Sequence, residues 1–397
     1  MRNIFSHSSS AKKVFNAKKI YFDYASTTPV LPEVFLAMKP FLTDMSYNPS
    51  SIYENGVQAR ILVEKARKDI SEEIGGRPEG LVFTASGTES NNMAILGQRN
   101  IDGRFDGVHM ITSAIEHPSV IEVFKEVEKL GGEVTFVSVD KFGIINLKEL
   151  SSALCEKTKM VSVMMVNNEI GTIQPIKEIS TIIRKAQKKF GTKIIFHTDA
   201  SQAFNYLKID SLRLGVDMVT LDASKIYGPK GIGILYITPG IKVLPIIFGG
   251  GQERGLRSGT ESLHQIIGLA KAFEIIAKKR KVETDRIMAL REYCIDEILK
   301  KIPLAKLNGH REMRIANNIN ICFPQMDSEN AVILLDHNGI ECAYASSCKS
   351  TGNDVSSYVV DALGGDCGTH SLRFTLGIFT KKSQIDFLVS ILQKIVN

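Results

Sequence analysis

The 397-residue chain reads as an α/β protein in which a mostly parallel sheet lies between helices, followed by a smaller C-terminal α/β domain. Three observations predict this. Nearly continuous apolar strand patterns alternate with amphipathic helical patterns over 57–236. A long helical pattern at 264–302 then separates that run from a second strand and helix set. A composition of 44% hydrophobic and 23% charged residues supports one large core and a smaller one.

A short apolar strand at 20–22 opens the pattern. Over 57–74, Leu62, Val63, Ala66, Ile70 and Ile74 fall at helical spacing and stop at Gly75-Gly76, an amphipathic helix with a glycine terminator. Strand 81–84, helix 90–99, strand 108–112, helix 119–130 and strand 134–137 set a βα rhythm. It continues through strand 160–166, helix 176–189 and strands 193–197, 218–221 and 232–236. Beyond the long helix, strand 317–322, helix 328–338, strand 372–375 and helix 382–396 make the smaller domain. The organisation is therefore a flexible extension at 1–20, a large domain at 21–275 and a small domain at 276–397. The polar stretch 345–357, with Cys348, Gly352 and Asn353, reads as a mobile surface loop.

The net charge of +6 is spread among acids without aromatic interleaving, which argues against a nucleic-acid surface. No apolar run is long enough to cross a bilayer, so a soluble protein is expected. Six dispersed cysteines (Cys155, Cys294, Cys322, Cys342, Cys348, Cys367) form no Cys-x-x-Cys pair and no secreted scaffold, which fits a reducing cytoplasm. Residues 1–20 carry five basic residues and no acid, but lack the apolar core of a secretory signal.

Several motifs sit where strands end. Thr84-Ala85-Ser86-Gly87-Thr88-Glu89-Ser90 joins a strand to a helix and aims backbone N–H groups and hydroxyls at one point, either a phosphate cradle or an ordinary helix cap. His117 follows strand 108–112 and suits stacking on a ring and proton transfer, or plain capping. Asn167-Asn168-Glu169-Ile170-Gly171 follows strand 160–166 and offers amides to a phenolic oxygen or carboxylate, or simply turns the chain. Asp199 follows strand 193–197, where a carboxylate is costly unless a positive group answers it or it caps a helix; Gln202 stands three residues on.

Lys225 follows strand 218–221, flanked by hydroxyls and the rigid turn Gly228-Pro229-Lys230-Gly231. A lysine able to form a Schiff base, with an Asp on a neighbouring strand end to keep a pyridine nitrogen protonated, describes a site for pyridoxal 5'-phosphate. The glycine-rich run 249–260 carries Arg254 and Arg257, suits anion binding or contact between chains, and does not fit a dinucleotide fingerprint. Arg373, on an otherwise apolar strand, would clamp a substrate carboxylate or form a structural ion pair. No metal-ligating cluster is expected.

Taken in order, Asp23-Tyr24-Ala25-Ser26-Thr27-Thr28-Pro29, Asn48-Pro49-Ser50-Ser51, Ser86-Gly87-Thr88-Glu89-Ser90-Asn91, Glu116-His117, Val166-Asn167-Asn168-Glu169-Ile170-Gly171, Asp199-Ala200-Ser201-Gln202, Lys225-Ile226-Tyr227-Gly228-Pro229-Lys230-Gly231 and Arg257-Ser258-Gly259-Thr260 resemble the cysteine desulfurases. The resemblance runs from about residue 21 to 380 and implies the aminotransferase-like, class V fold of pyridoxal phosphate enzymes, with a seven-stranded sheet, acting as a homodimer. It implies that Lys225 holds the cofactor aldehyde, Asp199 pairs with the ring nitrogen, and His117 stacks on the ring and shuttles protons. Gln202 and Asn168 would address the phenolic oxygen. Gly87, Thr88 and Ser224 would hold phosphate, with Thr260 reaching it from the partner chain. Arg373 and Asn168 would hold the carboxylate of L-cysteine.

The same resemblance makes Cys348, beside Lys349, the thiol that takes up sulfur; Cys342 and Cys367 fit that place less well. The product pair would be L-alanine and a persulfide destined for an acceptor protein, either an iron-sulfur scaffold or a sulfur carrier. A selenocysteine lyase, another class V lyase and a catalytically weakened scaffold of sulfur transfer are the rival readings. Two departures stand out. Asp222-Ala223-Ser224 replaces the family's small residue pair and His before the lysine, and Asp222 would repel phosphate unless it faces away or a cation offsets it. The loop between Cys348 and Ser357 is also about one residue longer than is common in the family.

Overall fold

The computed structural model describes residues 19–344 and 356–396. In chain order its elements are β1 (Ile20–Tyr21), α1 (Pro32–Met38), α2 (Glu54–Glu73), β2 (Leu81–Thr84), α3 (Gly87–Leu96), β3 (His109–Ser113), α4 (Pro118–Lys129), β4 (Glu133–Val137), α5 (Leu147–Ala153), β5 (Thr158–Ser162), α6 (Ile176–Phe190), β6 (Ile195–Asp199), α7 (Ser211–Leu214), β7 (Met218–Asp222) and β8 (Gly233–Ile237). They continue with α8 (Leu263–Lys301), β9 (Lys306–Leu307), β10 (Asn318–Cys322), α9 (Ser328–His337), β11 (Ile340–Glu341), α10 (Tyr358–Asp361), β12 (Ser371–Thr375) and α11 (Lys382–Val396).

Seven strands form the central sheet in the order β2-β8-β7-β6-β5-β3-β4. Strands β3 to β7 pair in parallel, while β8 is antiparallel to both β2 and β7, so β2 runs with the others and β8 alone is reversed. All six co-directional strands therefore deliver their carboxyl ends to one edge, where ligands of open α/β sheets bind. Alternate residues feed opposite faces. Val82, Met110, Met160, Met218 and Leu235 join the core beneath α3 and α4, whereas Phe83, Ile111, Val161, Phe196, Val219 and Ile234 join the core shared with α2, α6 and α8. Each such side chain contributes about 1.5–3 kcal/mol when fully buried.

The C-terminal part carries a three-stranded sheet, β12-β10-β9. Residues 20–23 are sewn into this part: β1 pairs with β11, Asp23 bridges to Thr375, and the Thr375 amide donates to the Phe22 carbonyl at 2.7 Å. That stitching brings Asp23 and Ser26 beside Arg373.

Four sequence expectations are corrected. The strand expected over 160–166 leaves the ladder after Ser162, and the Met165 amide instead reaches the Asp199 carbonyl at 2.8 Å. The strand expected over 193–197 runs on so that Asp199 is its last residue. The helix expected over 90–99 starts at Gly87, because the Ser86 hydroxyl accepts from the Glu89 amide and Glu89 reaches back to the Ala85 amide, a reciprocal cap. Cys322 and Cys367, read as dispersed thiols, are joined as a disulfide between the end of β10 and the segment before β12.

Candidate active site

At the carboxyl edge of the sheet a cavity of about 190 Å³ is lined by Gly87 and Thr88 after β2, His117 and Ser119 after β3, Asn168 beyond β5, Asp199, Ser201 and Gln202 at β6, Asp222 and Lys225 at β7, and Arg373 on β12. A larger open cleft of about 580 Å³ runs beside α2 and α8, but its lysines are engaged with neighbouring carboxylates, Lys65 with Asp69 and Lys271 with Glu274. The chemistry gathers in the smaller cavity.

Lys225 closes a short turn after β7 whose backbone is held at both ends. Asn205 donates to the Lys225 carbonyl at 2.7 Å, and the Thr28 amide donates to the Ser224 carbonyl at 2.7 Å. Tyr227 follows with a left-handed φ of 60°, kept there by its amide donating to the Thr28 hydroxyl and its own hydroxyl accepting from the Ile378 amide. The Lys225 ammonium donates to the Ser26 carbonyl at the cavity wall.

Asp199 is nine-tenths buried, and its carboxylate accepts from the Asn91 side chain at 2.8 Å and the Ser201 amide at 2.9 Å. No ion pair joins it to a cation among the described residues. Asn91 uses its second hydrogen on the Ser119 hydroxyl at 2.9 Å, and Ser119 in turn lies 2.8 Å from His117 Nδ1. His117 caps α4 as well, its Nδ1 accepting from the Ser119 amide at 3.1 Å, and it also lines the cavity. Burial pulls the imidazole below its ordinary range, against the pull of Asp199. A neutral ring with Nδ1 as acceptor carries its proton on Nε2.

Gln202 donates to the Ala25 carbonyl at 2.9 Å, and the Asn168 side-chain oxygen is buried without a partner among the described residues. Gly171 allows the turn that presents Asn168, at φ 72°, where a Cβ would lie 2.6 Å from that of Asn318. Arg373 is 3% exposed and binds Asp23 at 2.7 Å, the Ser26 hydroxyl at 2.8 Å and the Asn168 carbonyl at 3.2 Å, while its buried Nε finds no acceptor among the described residues. It is thus both an ion-pair residue and a wall of the cavity.

Asp222 faces inward. Its Oδ2 accepts from the Gly87 amide and its Oδ1 from the Ser224 amide, both at 2.8 Å. Ser224 and Thr260 do not line the cavity, and Thr260 stands exposed in the 249–260 run. The arginines of that run are engaged within the chain, Arg257 with Glu89 at 2.8 Å and Arg254 with the Leu81 carbonyl at 2.7 Å.

Cys348 lies outside the described residues. Cys342 is half-buried, and its desolvation pushes the thiol well above the ordinary range, while Cys367 is oxidised, so neither is poised as a thiolate. Ser357, expected on the mobile loop, is buried instead: its hydroxyl donates to Glu169 and caps α10. Next to it the Tyr358 hydroxyl donates to the Glu116 carbonyl. Sequence reading missed Asn91 and Ser119 as site residues. Asn91 stood in a quoted motif, but nothing local signals a partner more than a hundred residues away.

Among known proteins, the aminotransferase class-V family model matches residues 20–388. The cysteine desulfurase IscS of Dictyoglomus turgidum is 41% identical over 381 residues, covering 96% of this chain and 95% of that protein. A solved NifS-like protein superposes with a TM-score of 0.87 at 31% identity, covering 95% of this chain and 99% of the other. SspA, solved in complex with cysteine, gives a TM-score of 0.76 at 31% identity over 90% of this chain and 98% of its own. The chain belongs to the class V aminotransferase family and, within it, to the cysteine desulfurases.

Proposed function

We propose that this chain removes sulfur from L-cysteine, releasing L-alanine and leaving a persulfide on Cys348 for an acceptor protein. The observation that carries the reading is the convergence of Lys225, Asp199, His117 and Arg373, drawn from four separate strands and turns, on one cavity. The solved complex of SspA with cysteine supports the choice of substrate.

The ring end of the site fits pyridoxal 5'-phosphate. A nearly buried carboxylate with only neutral donors suits a positively charged ring nitrogen, and the unpartnered Asn168 oxygen suits a further polar group. Lys225 would hold the cofactor, Asp199 its nitrogen, His117 a ring face, and Gln202 with Asn168 the phenolic side; Gly87 and Thr88, which line the cavity, would hold the phosphate, whereas Ser224 stands behind Asp222. When bound, the cofactor supplies an electron sink for the bonds around the substrate's α-carbon.

The chain's own residues then divide the work. Arg373 anchors the carboxylate of cysteine, its guanidinium held rigid by Asp23 and Ser26. Neutral His117 moves a proton at Nε2 while Ser119 and Asn91 hold the ring in place. Cys348 makes a new S–S bond to the substrate sulfur as the C–S bond breaks, and a proton takes the place of sulfur on the carbon. The buried Ser357–Glu169 bond and the part-buried Tyr358–Glu116 bond tie 357–358 to the residues around the cavity.

The protein acts as a homodimer on this reading. Segments 49–67 and 250–254 line one cleft, beside which Ile52, Tyr53, Ile61 and Phe248 expose large apolar side chains, and Thr260 lies in the same glycine-rich run. Mass analysis of Cys348 after exposure to L-cysteine tests the proposal. One added sulfur atom, with L-alanine formed and both lost in Cys348→Ser, is expected; alanine formed without any modification of Cys348 refutes the persulfide step.

A further inference from the structure

The phosphate end of the cavity already holds an anion, and that anion belongs to the chain. The first turn of α3 presents the Gly87 amide at a helix N-terminus, where backbone N–H groups and the helix dipole favour negative charge. The Asp222 carboxylate takes that amide at 2.8 Å, and its other oxygen takes the Ser224 amide at the same distance. Its Oδ2 lies 3.3 Å from where a Gly87 Cβ would stand, as does the Ser201 hydroxyl, so Gly87, Ser201 and Asp222 meet at one point. Asp222 is also one of the residues that line the cavity. Of the two arrangements that would spare a phosphate, Asp222 facing away is not the one adopted. Arg257 of the glycine-rich run is engaged by Glu89.

We infer that Asp222 is a resident anion of the phosphate cradle and sets how strongly this chain prefers a phosphorylated cofactor over the bare pyridoxal ring. The inference rests on the cofactor reading above. A phosphate reaching the Gly87 amide must displace Asp222 or approach it as a like charge, and either event offsets part of the gain that the helix terminus offers. Binding of the ring itself, through Lys225, Asp199 and His117, does not meet this opposition. Preference for pyridoxal 5'-phosphate over pyridoxal is therefore narrowed, and neutralising position 222 widens it.

The test titrates the full-length apoprotein and its Asp222→Asn and Asp222→Ser variants with pyridoxal 5'-phosphate and, separately, with pyridoxal, following absorbance of the lysine-bound aldehyde. Asp222→Asn keeps an oxygen for the Ser224 amide, so it guards against a folding defect in the Ser variant. Loss of the charge is expected to lower Kd for pyridoxal 5'-phosphate by about tenfold or more, the effect of one charge-assisted contact, with Kd for pyridoxal unchanged. Equal or weaker binding of pyridoxal 5'-phosphate in both variants overturns the inference while leaving the cofactor reading intact. Failure of wild type and both variants to take up either aldehyde overturns the cofactor reading and this inference with it.

Discussion

Asn91 binds Asp199: the amide on α3 donates to the carboxylate at the end of β6 at 2.8 Å and passes its other hydrogen to Ser119, which touches His117. One neutral side chain thus orients the two groups proposed for opposite tasks on the cofactor ring, the carboxylate at its nitrogen and the imidazole at its face. Asn91→Ala leaves Asp199 and Ser119 each short of a donor. We expect kcat/KM for cysteine to fall roughly tenfold to a hundredfold, the range for a lost hydrogen bond to a charged group. An unchanged value measured in steady-state kinetics would rule out this positioning role.

Arg373 spends three of its five N–H donors on Asp23, Ser26 and Asn168, and its Nε is buried, so the remaining Nη1 hydrogen and the guanidinium charge are what an incoming carboxylate would meet. Arg373→Lys keeps the charge but loses the planar fork. KM for cysteine should rise by roughly tenfold to a hundredfold, with kcat changed less. A fall in kcat at constant KM would mean that Arg373 acts through Asn168 rather than on the substrate.

Glu116 is fully buried beside Ser113 and the Met164 amide, and burial pushes its carboxyl from 4.5 up to about 8. Between those values the folded protein keeps a proton that the unfolded chain has released. Its stabilising contribution is therefore complete below pH 4.5 and is lost as pH rises toward about 8, by a few kcal/mol in all. Glu116→Gln removes the effect. The drop in Tm between pH 5 and pH 8, measured by calorimetry, should be smaller in the variant than in the wild type.

Gly171 is the hinge of the turn that carries Asn168. An alanine there meets both a left-handed φ of 72° and the Asn318 side chain. Gly171→Ala should cost roughly 1–3 kcal/mol of stability, and repositioning Asn168 should also weaken cysteine binding. Denaturant midpoints read the first effect and KM the second.

Much of this protein was legible along the chain, because strand and helix periods and turn residues are local properties. The βα rhythm, the placing of Lys225 and Asp199 at strand ends, and the ordered motifs that carry the family likeness needed no coordinates. Antiparallel β8 was not legible, since an apolar strand has the same pattern in either direction. Other features depended on partners far apart in sequence. Asn91 and Asp199 are separated by 108 positions, Asp23 and Arg373 by 350, and Gly87 and Asp222 by 135. Sequence alone determined which reactive groups this chain possesses and which sheet edge receives them. Tertiary structure decided which of them touch, that Asp222 takes the Gly87 amide at the start of α3, and that the Cys342 thiol is desolvated and Cys367 paired, because burial and pairing are set by how distant segments pack.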